Sequence, residues 1–151
     1  MSQTLPVSIS LATAVIVQVA CQLFKVALYS IRERRLNLSY FVSAGGMPSA
    51  HSAFVTALTV SVGLRGGFAS ELFAVSCVFS TIIIYDAFRL RGAVEQHARL
   101  LAELLAERSD PRAAKLTRMV GHTPGEIVAG IAFGGGFAAL VSLLLRRAGL
   151  S

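Results

Sequence analysis

Gly45-Gly46-Met47-Pro48-Ser49-Ala50-His51-Ser52-Ala53 is the stretch on which the reading of this chain turns. Two glycines let the backbone pass close to another group without steric cost. Pro48 and the small hydroxyl residues after it look like a helix start, since proline is tolerated in a first helical turn and serine caps one. An apolar run follows, so His51 falls in the first turn or two of a helix, beside amides with no partner inside it. Such a helix start attracts anions, and an imidazole there can exchange a proton with one. The same residues also fit a tight loop and an ordinary interfacial histidine, so the rest of the chain has to decide.

The 151 residues are 54% hydrophobic and 15% charged, with a mean hydropathy of +0.67. A soluble domain carries about a quarter charged residues, so the composition points to a membrane protein, all-α, with one membrane-embedded domain over residues 1–151. A net charge of +6 raises the question of nucleic acid, but the basic residues are distributed as in a membrane protein and no nucleic-acid partner is expected. Cys21 and Cys77 lie inside apolar runs and read as reduced packing residues. The N-terminus has no basic segment before its apolar run, and that run is long enough to stay in the bilayer, so no cleavable signal is expected.

Four apolar runs are legible. The first, roughly Leu5 to Tyr29, is interrupted by Gln18, Gln22 and Lys25, which share one helical face; that face is expected against other helices, because a cation toward lipid is costly. The second runs from near Pro48 to Leu64, short and rich in Ser, Thr and Ala. The third extends from about Glu71 to Phe88 and closes on Tyr85-Asp86. The fourth, from Pro124 to about Leu145, opens with Thr123-Pro124-Gly125-Glu126, a capping box. It also holds the pair Gly130 and Gly134, suited to close helix contact, including a homodimer through that face. Between the third and fourth runs, Val94, Leu101, Leu104 and Leu105 make an apolar stripe, with Glu95, Arg99 and Glu103 on another face. This predicts an amphipathic helix at the interface or in a small lid. Asp110-Pro111 would open a second short helix and Gly121 stop it.

Four alternating spans bring four helix ends to one face of the membrane. The loops on that face hold Arg32, Arg34, Arg35, Arg89, Arg91, Arg99, Arg108, Arg112, Lys115 and Arg118, ten of the fourteen basic residues. The excess places that face in the cytoplasm and both termini outside. Lys25, Arg32, His51, Asp86, Arg91, His122 and Glu126 collect on or near it. Each taken singly has a bland fate, an ion pair or a lipid contact; seven together make a site. Two histidines and several cations, without a cluster of acids or cysteines, suit phosphate better than metal. A phosphoryl group needs cations and amides for its oxygens, an in-line nucleophile and an acid for the leaving group. Zinc held by His51, His97 and His122 is the alternative, against which His97 is expected at the solvent.

Pro48-Ser49-Ala50-His51 resembles the Pro-Ser-Gly-His motif of the type 2 phosphatidic acid phosphatase and vanadium haloperoxidase superfamily. Lys25, six residues and Arg32 resemble its first motif, with Glu33 where a proline usually follows. His122, three residues and Glu126 resemble the histidine and aspartate of its third. Gly45 to Ala53, Tyr85-Asp86-Ala87 and Gly121-His122-Thr123-Pro124-Gly125-Glu126 together resemble the divergent, YuiD-like branch. The resemblance implies a membrane phosphatase that hydrolyses a lipid phosphate, a monoester or pyrophosphate, through a phosphohistidine, with no cofactor or metal. It implies His122 as nucleophile, His51 as general acid, and Lys25, Arg32 and the amides around Ser49 and Ala50 as phosphate ligands. The third motif usually has an arginine where this chain has Leu116; Arg91 is the expected substitute, ahead of Lys115 and Arg118. Glu126 or Asp86 would orient the nucleophile.

Two further readings stand beside this one. A non-catalytic protein binding anionic lipid or phosphate would explain the missing arginine. A vanadate-dependent oxidase would need a rigid, water-filled pocket, of which so small a bundle gives no sign. The superfamily's membrane members resemble six-helix bundles, so the amphipathic segments or a second protomer are expected to complete four spans.

Overall fold

The computed structural model describes residues 8–42, 45–108, 110 and 122–149, with the backbone alone of Arg91. Helix α1, Ile9–Glu33, ends on Arg34 in the left-handed conformation, φ 53°; the Arg34 and Arg35 amides bond back to Ile31 and Ser30, closing the last turn. A 3₁₀ turn, Leu38–Phe41, follows, opened by the Asn37 side chain accepting from the Ser39 amide. Then come α2, Ala50–Gly66, and α3, Glu71–Tyr85. The helix passes through a π turn, Asp86–Leu90, into α4, Arg91–Glu107, and α5 covers Pro124–Arg147. Among the described residues there is no strand.

The change of character at Arg89 is therefore a change of surface and not a break in the backbone. No proline interrupts the sequence there, and Glu71–Glu107 is one helical stretch of 37 residues. At 1.5 Å per residue it measures about 55 Å, well beyond the roughly 30 Å of a bilayer core. The second short helix expected between Asp110 and Gly121 lies outside the described residues.

This stretch, α1 and α5 are each long and apolar enough to cross a membrane. The shorter α2, 17 residues or about 25 Å, runs among them and packs on all three. Its contacts give the directions. Ser80 Oγ donates to the Val55 carbonyl at 3.1 Å and Thr59 Oγ1 to the Ser76 carbonyl at 3.2 Å, so α3 is antiparallel to α2. The C-terminal half of α1 meets the segment leading into α2, so that pair is antiparallel too. The start of α5 meets the start of α2, and Arg146 near its end donates to the Leu64 carbonyl at 2.9 Å. Alternation thus gathers the end of α1, the starts of α2 and α5, and the end of α3 at one end of the bundle.

Small residues make the core. Ala14, Val17, Cys21, Ala50, Ala53, Ala57 and Ala138 are all buried together. In lipid the gain comes from close backbone packing rather than from expelling water. Gly130 and Gly134 show this most directly: a Cβ on either would collide with the Ser49 or Ala53 carbonyl of α2. The face expected to serve a homodimer is occupied within the chain, because the spacing announces a close helix partner without saying which helix it is. On α3 the outward Ser76 and Thr81 hydroxyls donate to the carbonyls four residues back, at 2.8 Å each, so neither is an unmet donor toward lipid.

Candidate functional site

Three residues of α1, spaced four apart on one face, fasten the segment that leads into α2. Cys21 Sγ lies 3.7 Å from the Pro48 carbonyl, Lys25 Nζ donates to the Gly45 carbonyl at 3.1 Å, and the Tyr29 hydroxyl accepts from the Met47 amide at 3.1 Å. Lys25 is 0% exposed. Gly46 has φ +94°, and a Cβ there would come within 3.1 Å of the Tyr29 hydroxyl, so conformation and space both require glycine. The Met47–Pro48 peptide is cis. Tyr29 in turn stacks on Tyr40, ring centroids 4.5 Å apart. The Tyr40 hydroxyl donates to Glu33 Oε1, and that bond to a carboxylate raises the Tyr40 phenol above its usual range.

The same segment is tied to α5. The Ser49 amide donates to the Glu126 carbonyl at 2.9 Å, while Ser49 Oγ caps α2 by accepting from the Ser52 amide and hydroxyl. The amide of Ser49, expected to hold phosphate, is thus engaged inside the protein. Ala50, 1% exposed, is the first residue of α2, where helix geometry gives an amide no partner in its own helix. His51 follows it, half-buried.

His122 stands immediately before Thr123, the cap of α5, and is 5% exposed. The capping box forms: Thr123 Oγ1 accepts from the Glu126 amide and Glu126 Oε2 from the Thr123 amide at 3.2 Å. That same oxygen lies 3.0 Å from His122 Nδ1. The choice between Glu126 as cap and Glu126 as partner of His122 is thereby dissolved, because one carboxylate does both. With the carboxylate as acceptor, Nδ1 carries the proton and Nε2 presents its lone pair. Among the described residues buried Nε2 has no hydrogen-bond partner. The His51 ring lies edge-on, with centroids 6.2 Å apart.

Not every expected residue joins them. Asp86, the other candidate to orient His122, opens the π turn, and the carboxylate on His122 is that of Glu126. Arg32 is exposed, its guanidinium 6.0 Å from the Tyr29 ring centre, about 10 Å along α1 from Lys25. The Arg91 side chain, Leu116, Lys115 and Arg118 lie outside the described residues. His97 is exposed on α4, and among the described residues no three His, Cys, Asp or Glu side chains are grouped to hold a metal.

Two clefts open beside His122. The larger, about 580 Å³, is lined by Tyr85, Phe88, Arg89, Leu90, Gly92, Ala93 and Gln96 together with His122. The smaller, about 270 Å³, is lined by Gly92, Glu95, Gln96 and Arg99 of α4 with His122, Thr123 and Glu126. Gln96 and the cleft-facing side of α4 were missed in the sequence. The available signal was the step of three and four from Gly92 to Arg99, read above only as an ion-pair face.

The sequence profile described as the Divergent PAP2 family matches residues 8–137, from the start of α1 into α5. The chain is also 36% identical over 154 residues to the uncharacterized membrane protein YuiD of Bacillus subtilis (strain 168), an alignment covering 93% of this chain and 92% of that one. No solved structure matches it. On the extent of both matches, this integral membrane protein belongs to the Divergent PAP2 family.

Proposed function

We infer that this end of the bundle hydrolyses a lipid phosphate through a phosphohistidine. The observation that carries the reading is His122: Nδ1 fixed by Glu126 at 3.0 Å, Nε2 buried without a partner among the described residues, and a second imidazole alongside. Nε2 attacks phosphorus, the bond to the lipid alkoxide breaks, and His51 gives that oxygen its proton. Water then attacks phosphorus, the bond from phosphorus to Nε2 breaks, His51 takes the water's proton, and inorganic phosphate leaves with His122 restored. Glu126 holds the tautomer and stabilises the charged imidazole. Lys25 and the Ala50 amide are the described groups offered to the phosphate, with Arg32 and Arg91 as further ligands. A membrane site suits an amphiphile whose tail stays in lipid, and the basic excess supports an opening on the cytoplasmic side.

The test is phosphate release from a panel of lipid phosphates by purified protein, without added metal. Wild type should release phosphate and His122→Ala should fall to the level of an empty preparation. Unchanged release in that variant would end the histidine mechanism. Leu116, standing where an arginine is usual, favours a second reading, binding without turnover. That reading expects wild type to bind lipid phosphate and release none, with binding kept in His122→Gln and lost in Arg32→Ala.

A further inference from the structure

Groups able to hold an anion at His122 are fewer than the sequence promises. The Ser49 amide is taken by the Glu126 carbonyl, Lys25 donates to the Gly45 carbonyl, and Arg32 lies by Tyr29. Glu126 moreover adds a negative charge to the same cleft. A phosphate beside a buried imidazole needs a placed cation to offset its charge.

Helix α4 brings one. Gly92, Glu95, Gln96 and Arg99 share a face, and that face closes the 270 Å³ cleft over His122, Thr123 and Glu126. Glu95 accepts from one terminal nitrogen of Arg99 at 2.5 Å. The bond holds the guanidinium at the cleft and uses only one of its five N–H donors. The remaining fork matches two oxygens of a phosphate. Gly92 on the same face borders open space, since a Cβ there would meet nothing within 4 Å. His122, whose Nε2 is buried without a partner among the described residues, and an arginine fork therefore line one cleft.

We propose that Arg99 is the residue that grips the phosphate oxygens at His122, the ligand being a phosphate group whether on a lipid or free. This rests on the phosphatase reading of the site and adds to it a substrate contact on α4, outside all three motif stretches. Arg99 keeps its protons throughout. It holds the non-bridging oxygens while the bond from phosphorus to the leaving oxygen breaks and the bond to Nε2 forms.

The experiment uses the full chain in detergent with Arg99→Gln, Arg99→Lys and, as a control cation at the C-cap of the same helix, Arg108→Gln. The exposed Glu95 pair contributes little to folding, so the variants should fold, which thermal melts check. Phosphate release should fall about 10²-fold in Arg99→Gln, recover in part in Arg99→Lys, and stay within about twofold of wild type in Arg108→Gln. Binding is read separately by calorimetry with inorganic phosphate and with mixed micelles containing phosphatidic acid. Affinity should drop roughly tenfold or more in Arg99→Gln. A drop with both probes assigns Arg99 to the anion itself; a drop with the micelles alone assigns it to the lipid headgroup. Wild-type binding and release in Arg99→Gln overturn the assignment while leaving the histidine mechanism standing. Binding that needs Arg99, in a wild type that releases no phosphate, upholds Arg99 and removes the hydrolytic reading.

Discussion

Glu126 Oε2 accepts from the Thr123 amide and meets His122 Nδ1, so a single oxygen serves the helix cap and the imidazole. The two duties separate by mutation. Glutamine also suits the third position of a capping box, so Glu126→Gln should leave the melting temperature near that of wild type. It removes the negative charge behind His122, and phosphate release should fall about 10²- to 10⁴-fold, by analogy with neutralised orienting carboxylates elsewhere. Thr123→Ala does the reverse. It loses the hydroxyl cap, at a cost of about 1 kcal/mol, and should lower stability while retaining most of the activity. Melts and phosphate release on the same preparations check both, and a Glu126→Gln protein with wild-type turnover would show that the carboxylate only caps. This pair was readable in the sequence, because a capping box and a four-residue step from His122 to Glu126 are both local spacings. The engagement of the Ser49 amide was not. Its acceptor is a carbonyl 77 positions away, and no local pattern encodes that.

At the scale of elements, apolar length and the alternation of direction carried most of what the sequence could say. The Gly130–Gly134 pair was legible as a close contact and illegible as to partner, since the same spacing serves a dimer or a neighbouring helix. The packing on α2 makes a sharp prediction: Gly134→Ala places a methyl against the Ala53 backbone and should destabilise by about 1–3 kcal/mol, seen as a lower melting temperature in detergent. The π turn was invisible, because it alters hydrogen bonding and leaves composition untouched. It sets the facing of α4 all the same. Deleting Phe88 from it would let the stretch run as plain α-helix, turning α4 by about 100° and carrying Gly92, Gln96 and Arg99 off His122. In a Cys21→Ala, Cys77→Ala background, a bifunctional thiol reagent should bridge Gln96→Cys and Thr123→Cys, whose positions line one cleft. The Phe88 deletion should lose that bridge and keep its helical circular dichroism. Bridging that survives the deletion would mean the π turn does not set the register.

For the whole molecule, the distribution of charge gives an expectation of which compartment the site faces. The contacts place the end of α1, the π turn and the starts of α2 and α5 together. Arg65 and Arg146 belong to the far end, where Arg146 reaches the Leu64 carbonyl. By sequence, ten of the fourteen basic residues fall in the stretches assigned to the site end and three in those assigned to the other. Loops this short fall in the range where such an imbalance governs insertion, so the site end is expected in the cytoplasm. A lipid phosphate would then be met in the inner leaflet, its head at His122 and its tail beside Tyr85, Phe88 and Leu90. Single cysteines at Arg108 and at Arg65, in the Cys21→Ala, Cys77→Ala background, report the outcome in intact cells. A membrane-impermeant maleimide should label Arg65→Cys and should label Arg108→Cys only after the cells are opened. The reverse pattern would turn the cleft outward and require a substrate in the outer leaflet. The chemistry at His122 would be untouched by that result, because the helix directions that build the site are fixed inside the bundle and do not depend on which side it opens.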